Sequence, residues 1–335
     1  MADDLSWGGL LRGMLVLAAI WWAWAAYAWL TNEVDGRRRG VRLAIFASMI
    51  AMLIASLAVP GAFEDDALLF ALAYLAVRLL HIALFAVGSE HVSVREATRA
   101  LAPTAVLAPA LLIVASALDG TAQTAVWVVA LLVDYAGAGL RGIAGWRLSP
   151  GYFAERHGLI VIIALGESIV AIGVGAEGIA LETGVLLAAA LGVVVAASLW
   201  WVYFDAALEG VEHRLEALTG RARNTMARDG FSFLHLPLVA GIVLLALGVK
   251  KTLEHVDEPL KDPAAVALCG GVALYLLADA AFRRRTLARA EPARLVAAVA
   301  CLAVIPLALE LDALVALVIV AAICAALVAV EPART

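Results

Sequence analysis

ERHGLIVIIALGESIVAIGVGA, residues 155–176, puts a carboxylic acid in the middle of a segment that otherwise belongs in lipid. Glu167 lies ten residues past His157. At about 1.5 Å per helical residue that is about 15 Å, the midplane of a hydrocarbon core about 30 Å thick. An ionisable side chain at that depth is costly enough to mark a functional site by default. At about 100° per residue, His157, Ala164, Glu167, Ser168, Ala171 and Gly175 share one face, while Leu159, Ile162, Ile163, Ile169 and Ile172 fall largely elsewhere. The small polar face is expected to point into a helix bundle.

The rest of the chain has the same character. It has 335 residues, 64% hydrophobic and only 16% charged, and its mean hydropathy is +0.96; a water-soluble domain carries about 25% charged residues. Apolar runs of about twenty residues recur along its whole length, twice what a barrel strand needs. These observations imply an all-α polytopic membrane protein, in which each helix pairs its own backbone groups. The net charge of −5 carries little information, because loop charges sort by membrane side. The opening MADDLSW is acidic and the apolar run after it is too long for a cleaved signal, so no signal peptide is expected. Cys269, Cys301 and Cys324 each sit inside an apolar run without a CxxC, and read as small buried hydrophobes.

Eleven spans are expected, at 9–30, 41–59, 67–88, 100–118, 122–140, 157–176, 184–207, 231–249, 264–282, 293–309 and 311–330. Alternate loops hold 19 of the 24 basic residues, among them Arg37, Arg38, Arg39, Arg141, Arg147, Arg221, Arg223, Arg283, Arg284, Arg285 and Arg294. The other loops hold Lys250, Lys251 and Lys261, with Arg12 at the first helix and Arg78 inside the membrane. By the positive-inside rule the arginine side is expected to be cytoplasmic, which leaves the N-terminus outside and the C-terminus inside.

WWAWAAYAW at 21–29 can be laid over WWVYFDAAL at 200–208. Interfacial belting accounts for one or two rings per helix, so some of these tryptophans should pack inside the bundle, with Trp201 a secondary lining candidate. Tyr74 and Arg78 have the spacing of Tyr275 and Asp279, each pair followed by an aromatic, Phe85 or Phe282. Residues 151–335 therefore read as a six-helix unit, and 1–150 as the same unit of five spans with its first helix missing. Six crossings return the chain to its starting side, so the repeats are expected to be parallel.

The candidate ionisable groups are Arg78, His81, Asp134, His157, Glu167, Asp205, His235 and Asp279. Arg78 lies at the depth of Glu167, and the two are expected to pair, either to hold helix register or to work in a path. Tyr74, Arg78, His81 and Phe85 share one face and should look inward. Asp205 and Asp279 lie close enough to the inner ends to snorkel or cap. His235, before Pro237, reads as a packed, hydrogen-bonded histidine, and Asp134 as a hydrogen-bonder across a close helix contact. Four intramembrane carboxylates against one arginine favour a cation or proton path. No HExxH, GxSxG or phosphate loop is present, so no catalytic set, metal site or cofactor is expected.

Four stretches, ERHGLIVIIALGESIVAIG (155–173), WWVYFDAA (200–207), EHRL (212–215) and FLHLPLVAGIVLLALGVKK (233–251), resemble the bacterial low-temperature-requirement A (LtrA) membrane protein family. The resemblance covers nearly the whole chain. It implies a multi-pass bacterial membrane protein linked by name to growth in the cold, and it names no substrate or reaction. Family members usually begin with a further helix carrying a Glu-Leu-Phe-Phe-Asp-Leu type motif, which this sequence does not contain.

The expected function is secondary transport or ion conduction of a small solute or cation. The path would be lined by Glu167, Arg78, His81, Ser168, His157, Asp134 and Tyr74, with Asp205, His235, Asp279 and Trp201 as secondary candidates. Membrane lipid is the expected surrounding partner, and nucleic acid is not. Two alternatives stand beside it: a membrane-embedded enzyme acting on lipid through His157, His235 and the inner carboxylates, and a structural or sensory protein.

Overall fold

The structure is a computed structural model that describes residues 5–140, 145–204 and 207–331. Among the described residues the regular elements are all helical: α1 (Trp7–Glu33), α2 (Arg39–Leu57), α3 (Ala67–Gly88), α4 (Val92–Ala115), α5 (Gly120–Leu140), α6 (Pro150–Gly175), α7 (Thr183–Phe204), α8 (Ala207–Ala217), α9 (Gly220–Ala227), α10 (His235–Glu254), α11 (Asp262–Ala265), α12 (Gly271–Leu287), α13 (Pro292–Ala308) and α14 (Ala313–Val330). Wide π-helical turns at Arg228–Phe233 and Val266–Gly270 join α9 to α10 and α11 to α12. Ten of the resulting helices are long and apolar enough to cross a membrane. The remaining expected span, 293–309, is α13. It has 17 residues, so it is about 25 Å long against a core of about 30 Å.

The chain divides into two compact units. In the unit built on Leu11–Phe153, α2, α3, α4 and α5 pack in chain order. α1 is tied to three of them. The Tyr27 hydroxyl lies 2.6 Å from Ser48 Oγ on α2 and 3.1 Å from the Val77 carbonyl on α3; its one hydrogen goes to the carbonyl when Ser48 donates to it. From α5, Tyr135 donates to the Ala18 carbonyl at 2.9 Å, and its ring stacks on Trp22 with centroids 4.3 Å apart. Phe70, Tyr74, Val77 and Trp127 fill the core between them. Trp21 and Trp22 are buried, as expected for rings beyond what a belt needs.

The second unit contains Ala154–Ala217 and Met226–Thr335. α10, α12, α13 and α14 again pack in chain order, and α14 leans on α7. α10 and α12 meet backbone to backbone: a Cβ on Gly241 would lie 2.6 Å from the Gly271 carbonyl oxygen, and one on Gly271 2.8 Å from the Leu245 nitrogen. Small residues at such crossings let membrane helices approach where no hydrophobic force drives them together. The loop after α10 is held to the α13–α14 loop by Leu260 N–H to Ala308 O at 3.0 Å and Ala313 N–H to Glu258 O at 2.9 Å.

α6 turns most of its expected small polar face inward, His157, Ser168 and Gly175 being buried, and departs from the expectation at Glu167. Its buried line is Ala154, His157, Val161, Leu165, Ser168 and Ile172, and Glu167 is exposed with Ile162, Ile163 and Val170. Glu167 immediately precedes Ser168 and lies at nearly the same depth, but sits about 100° round the helix from it. Val161, Leu165 and Ile172 fill the contact with Ser168 the small polar member of it, while Leu159, Ile162, Ile163, Ile169 and Val170 cover the outer face beside Glu167, so side-chain volume alone does not choose the side that packs. Ser168 satisfies its hydroxyl by donating to the Leu165 carbonyl at 2.7 Å.

Candidate functional site

α3 carries the most polar buried stripe in the Leu11–Phe153 unit. Tyr74, Arg78, His81 and Phe85 recur at helical spacing and all four are buried, as their shared face predicts. The carboxylate that meets Arg78 is Asp134 on α5. Arg78 Nη2 donates to Asp134 Oδ1 at 2.6 Å, and the Tyr74 hydroxyl donates to Asp134 Oδ2 at 3.1 Å. This replaces the expected Arg78–Glu167 pair. Depth alone cannot choose a partner, and Asp134 reaches α3 because α4 and α5 fold back beside it.

Two nitrogens of that guanidinium, Nε and Nη1, have no hydrogen-bond partner among the described residues. Arg78 is only 4% exposed. His81, 8% exposed, sits one turn on. Its Nε2 is 3.1 Å from the Ala26 carbonyl; a carbonyl only accepts, so Nε2 carries the hydrogen and a neutral ring leaves Nδ1 as an acceptor. Nδ1 has no partner among the described residues either. Unmet donors and an unmet acceptor thus lie one turn apart on one buried face.

The second unit holds a network at the arginine-rich end of α12. Asp279 is wholly buried and does not snorkel. Its Oδ2 accepts from Arg283 Nε at 3.2 Å and from Arg294 Nη1, and Arg294 also grips Glu331 with two bonds of 2.7 Å. Arg283 donates to the Val202 carbonyl as well, and Tyr275 donates to the Leu199 carbonyl at 2.8 Å. Both arginines were counted as loop charges. Arg283 stands four residues after Asp279, the spacing of helical neighbours, and that signal was available in the sequence. Arg294 and Glu331 were not distinguishable from ordinary helix ends. With these pairs in place the apparent carboxylate excess inside the bundle largely disappears.

His235 follows the wide turn at Arg228–Phe233. That turn leaves the Gly230 carbonyl to the imidazole, with Nδ1 at 3.0 Å, so Nδ1 holds the hydrogen and the Tyr203 hydroxyl donates to Nε2 at 2.8 Å. His157 lies edge-on to it with ring centroids 5.3 Å apart, and Phe231 and Phe282 close the box. His157 and His235 are wholly buried, so this is a packed polar core of the kind expected for His235. Of the other candidates, Trp201 is exposed at 44%, and Asp205 lies outside the described residues. No group of three or more metal-binding side chains occurs among the described residues.

The structure thus gathers Tyr74, Arg78, His81 and Asp134 at one place, and His157 with His235 at another. A protein of Rhizobium meliloti (strain 1021) named "Uncharacterized protein RA0937" is 28% identical over 303 residues, covering 87% of this chain and 73% of that protein. No solved structure matches the chain. The family model for the bacterial low temperature requirement A protein (LtrA) matches residues 1–329, nearly the whole length and including all of these clusters. The chain therefore belongs to the LtrA family.

Proposed function

We propose that the protein moves a small solute or ion across the bacterial inner membrane, along a path in the Leu11–Phe153 unit lined by Tyr74, Arg78, His81 and Asp134. The observation that carries this is the set of unmet polar atoms on Arg78 and His81, deep in an apolar helix. A membrane helix keeps an ionisable side chain at that depth chiefly where a path or a partner uses it. Arg78 has a partner, but Asp134 occupies only one of its three nitrogens. The enzyme alternative loses support, because His157 and His235 are sealed within their unit.

We read the two units as parallel repeats. Both pack their later helices in chain order, both bring the last helix to the one that carries the tryptophan cluster (α5 to α1, α14 to α7), and both bury an arginine–aspartate pair. Glu167, exposed on α6, is a lining candidate within its own unit.

Purified protein in liposomes, with flux followed for protons, alkali cations, small anions and small organic solutes, tests the transport reading. Wild type should move at least one of them, and Asp134→Asn and Arg78→Met should each abolish that movement. Equal flux in wild type, both variants and Glu167→Gln for every solute would end it.

A further inference from the structure

We propose that Arg78 and His81 form a binding site for a small monovalent anion that enters together with one proton. This rests on the transport reading and names its substrate class.

The guanidinium of Arg78 has five N–H groups, and an anion accepts from such a fork better than any neutral group. Asp134 takes Nη2, while Nε and Nη1 remain unmet at 4% exposure. Buried donors without acceptors are costly, and a ligand that supplies acceptors removes that cost. A metal cation finds a single unmet ligand here, His81 Nδ1, beside a fixed guanidinium charge. Each oxygen of Asp134 already accepts a hydrogen bond, one from Arg78 and one from Tyr74.

The charge balance brings in the proton. Arg78 and Asp134 cancel, so an anion alone would leave one net negative charge in a low-dielectric interior. His81 Nδ1, unmet and three residues along the same face, is where a proton restores neutrality. The ring then donates from Nε2 to the Ala26 carbonyl, as it does already, and from Nδ1 to the anion. Two cations side by side repel, and an anion between them turns that repulsion into attraction. If the acid enters undissociated, its own hydrogen is donated to Nδ1. Either way one anion and one proton arrive together.

The groups around His81 do not compete for this role. α1 presents Tyr27, whose ring centroid is 5.4 Å from that of His81 and whose hydroxyl is committed to Ser48 and Val77. α5 presents Asp134 and Tyr135, both already hydrogen-bonded. On α2 the ionisable side chains are Arg39 and Arg42, and on α4 they are Arg95, Glu96 and Arg99, all in the first turns, with Arg99 exposed. The near-complete burial of both side chains limits the ligand to a few atoms: a halide, nitrate or formate.

Calorimetry on the full chain in detergent, titrated with chloride, nitrate and formate in buffers of different ionisation enthalpy, reads binding and proton uptake together. Wild type should bind at least one of the three with about one proton taken up per anion, since one histidine is the acceptor. Arg78→Lys, which keeps the charge but loses the fork, should weaken binding at least about tenfold. His81→Gln, which keeps a hydrogen-bonding side chain that cannot titrate, should bind weakly and take up no proton. Binding without proton uptake in wild type overturns the proposal whatever the variants do, as does unchanged behaviour in His81→Gln. Failure of all three anions to bind leaves only an ordered water between the two side chains and also overturns it. Anion and proton binding without flux would keep the site and remove transport; flux of another solute without anion binding would do the reverse.

Discussion

At the scale of single residues, the decisive event is the meeting of Arg78 with Asp134. Both side chains are almost fully shielded, at 5% and 1% exposure. Taking two charges out of water costs much of what their attraction returns, so the pair is worth little beyond an apolar replacement, whereas breaking it strands a charge. Asp134→Ala should therefore destabilise the protein by about 3–5 kcal/mol, and Arg78→Met combined with Asp134→Leu should recover most of that loss. Thermal unfolding in detergent measures both. A double variant as unstable as the single one would show that the two residues do not act as a pair. The stripe from Tyr74 to Phe85 was legible in the sequence, because helical spacing alone puts those residues on one face. The partner was not, because Asp134 stands 56 residues away and depth along a helix says nothing about which neighbour turns toward it.

At the scale of elements, α6 and the α10–α12 crossing show two kinds of helix contact. On α6 Val161, Leu165 and Ile172 pack inward around Ser168, and Glu167 is left outside among Ile162, Ile163 and Val170. On α10 the absence of side chains takes the contact: a Cβ on Gly248 would fall on the backbone of Leu268. Because backbone cannot give way as a flexible side chain can, Gly248→Leu should cost at least about 1–3 kcal/mol, the usual penalty for overpacking. Gly173 on α6, with nothing within 4 Å of its Cβ position, should accept leucine with little change. A thermal shift comparing the two variants checks this, and equal losses would contradict the crossing. The run LPLVAGIVLLALGVKK showed that a helix was present. It did not show that Gly241 would face α12 and Gly248 the turn before it, nor that this turn would be wide.

At the scale of the whole molecule, side of the membrane and repeat orientation make one joint prediction. If the units are parallel repeats with the arginine-rich loops in the cytoplasm, the α2–α3 loop and the α10–α11 loop open to the same, outer side. Single cysteines at Asp65 and Asp257, in a background with the three natural cysteines replaced, should both react with an impermeant thiol reagent added outside intact cells. A cysteine at Arg289 should not. Labelling of only one of the outer pair would refute the parallel relation, and labelling of all three would refute the orientation. What the sequence determined by itself is the membrane class, the helical architecture and nearly every span. Those follow from local composition and from the need of each backbone group in lipid to pair within its own helix. Only the tertiary structure decided which polar residues meet. The choice of Asp134 for Arg78, the inward turn of Arg283 and Arg294, and the outward place of Glu167 each depend on how helices distant in sequence rotate about their axes. That rotation is set by the fit of side-chain volume between neighbours, a property no single helix possesses.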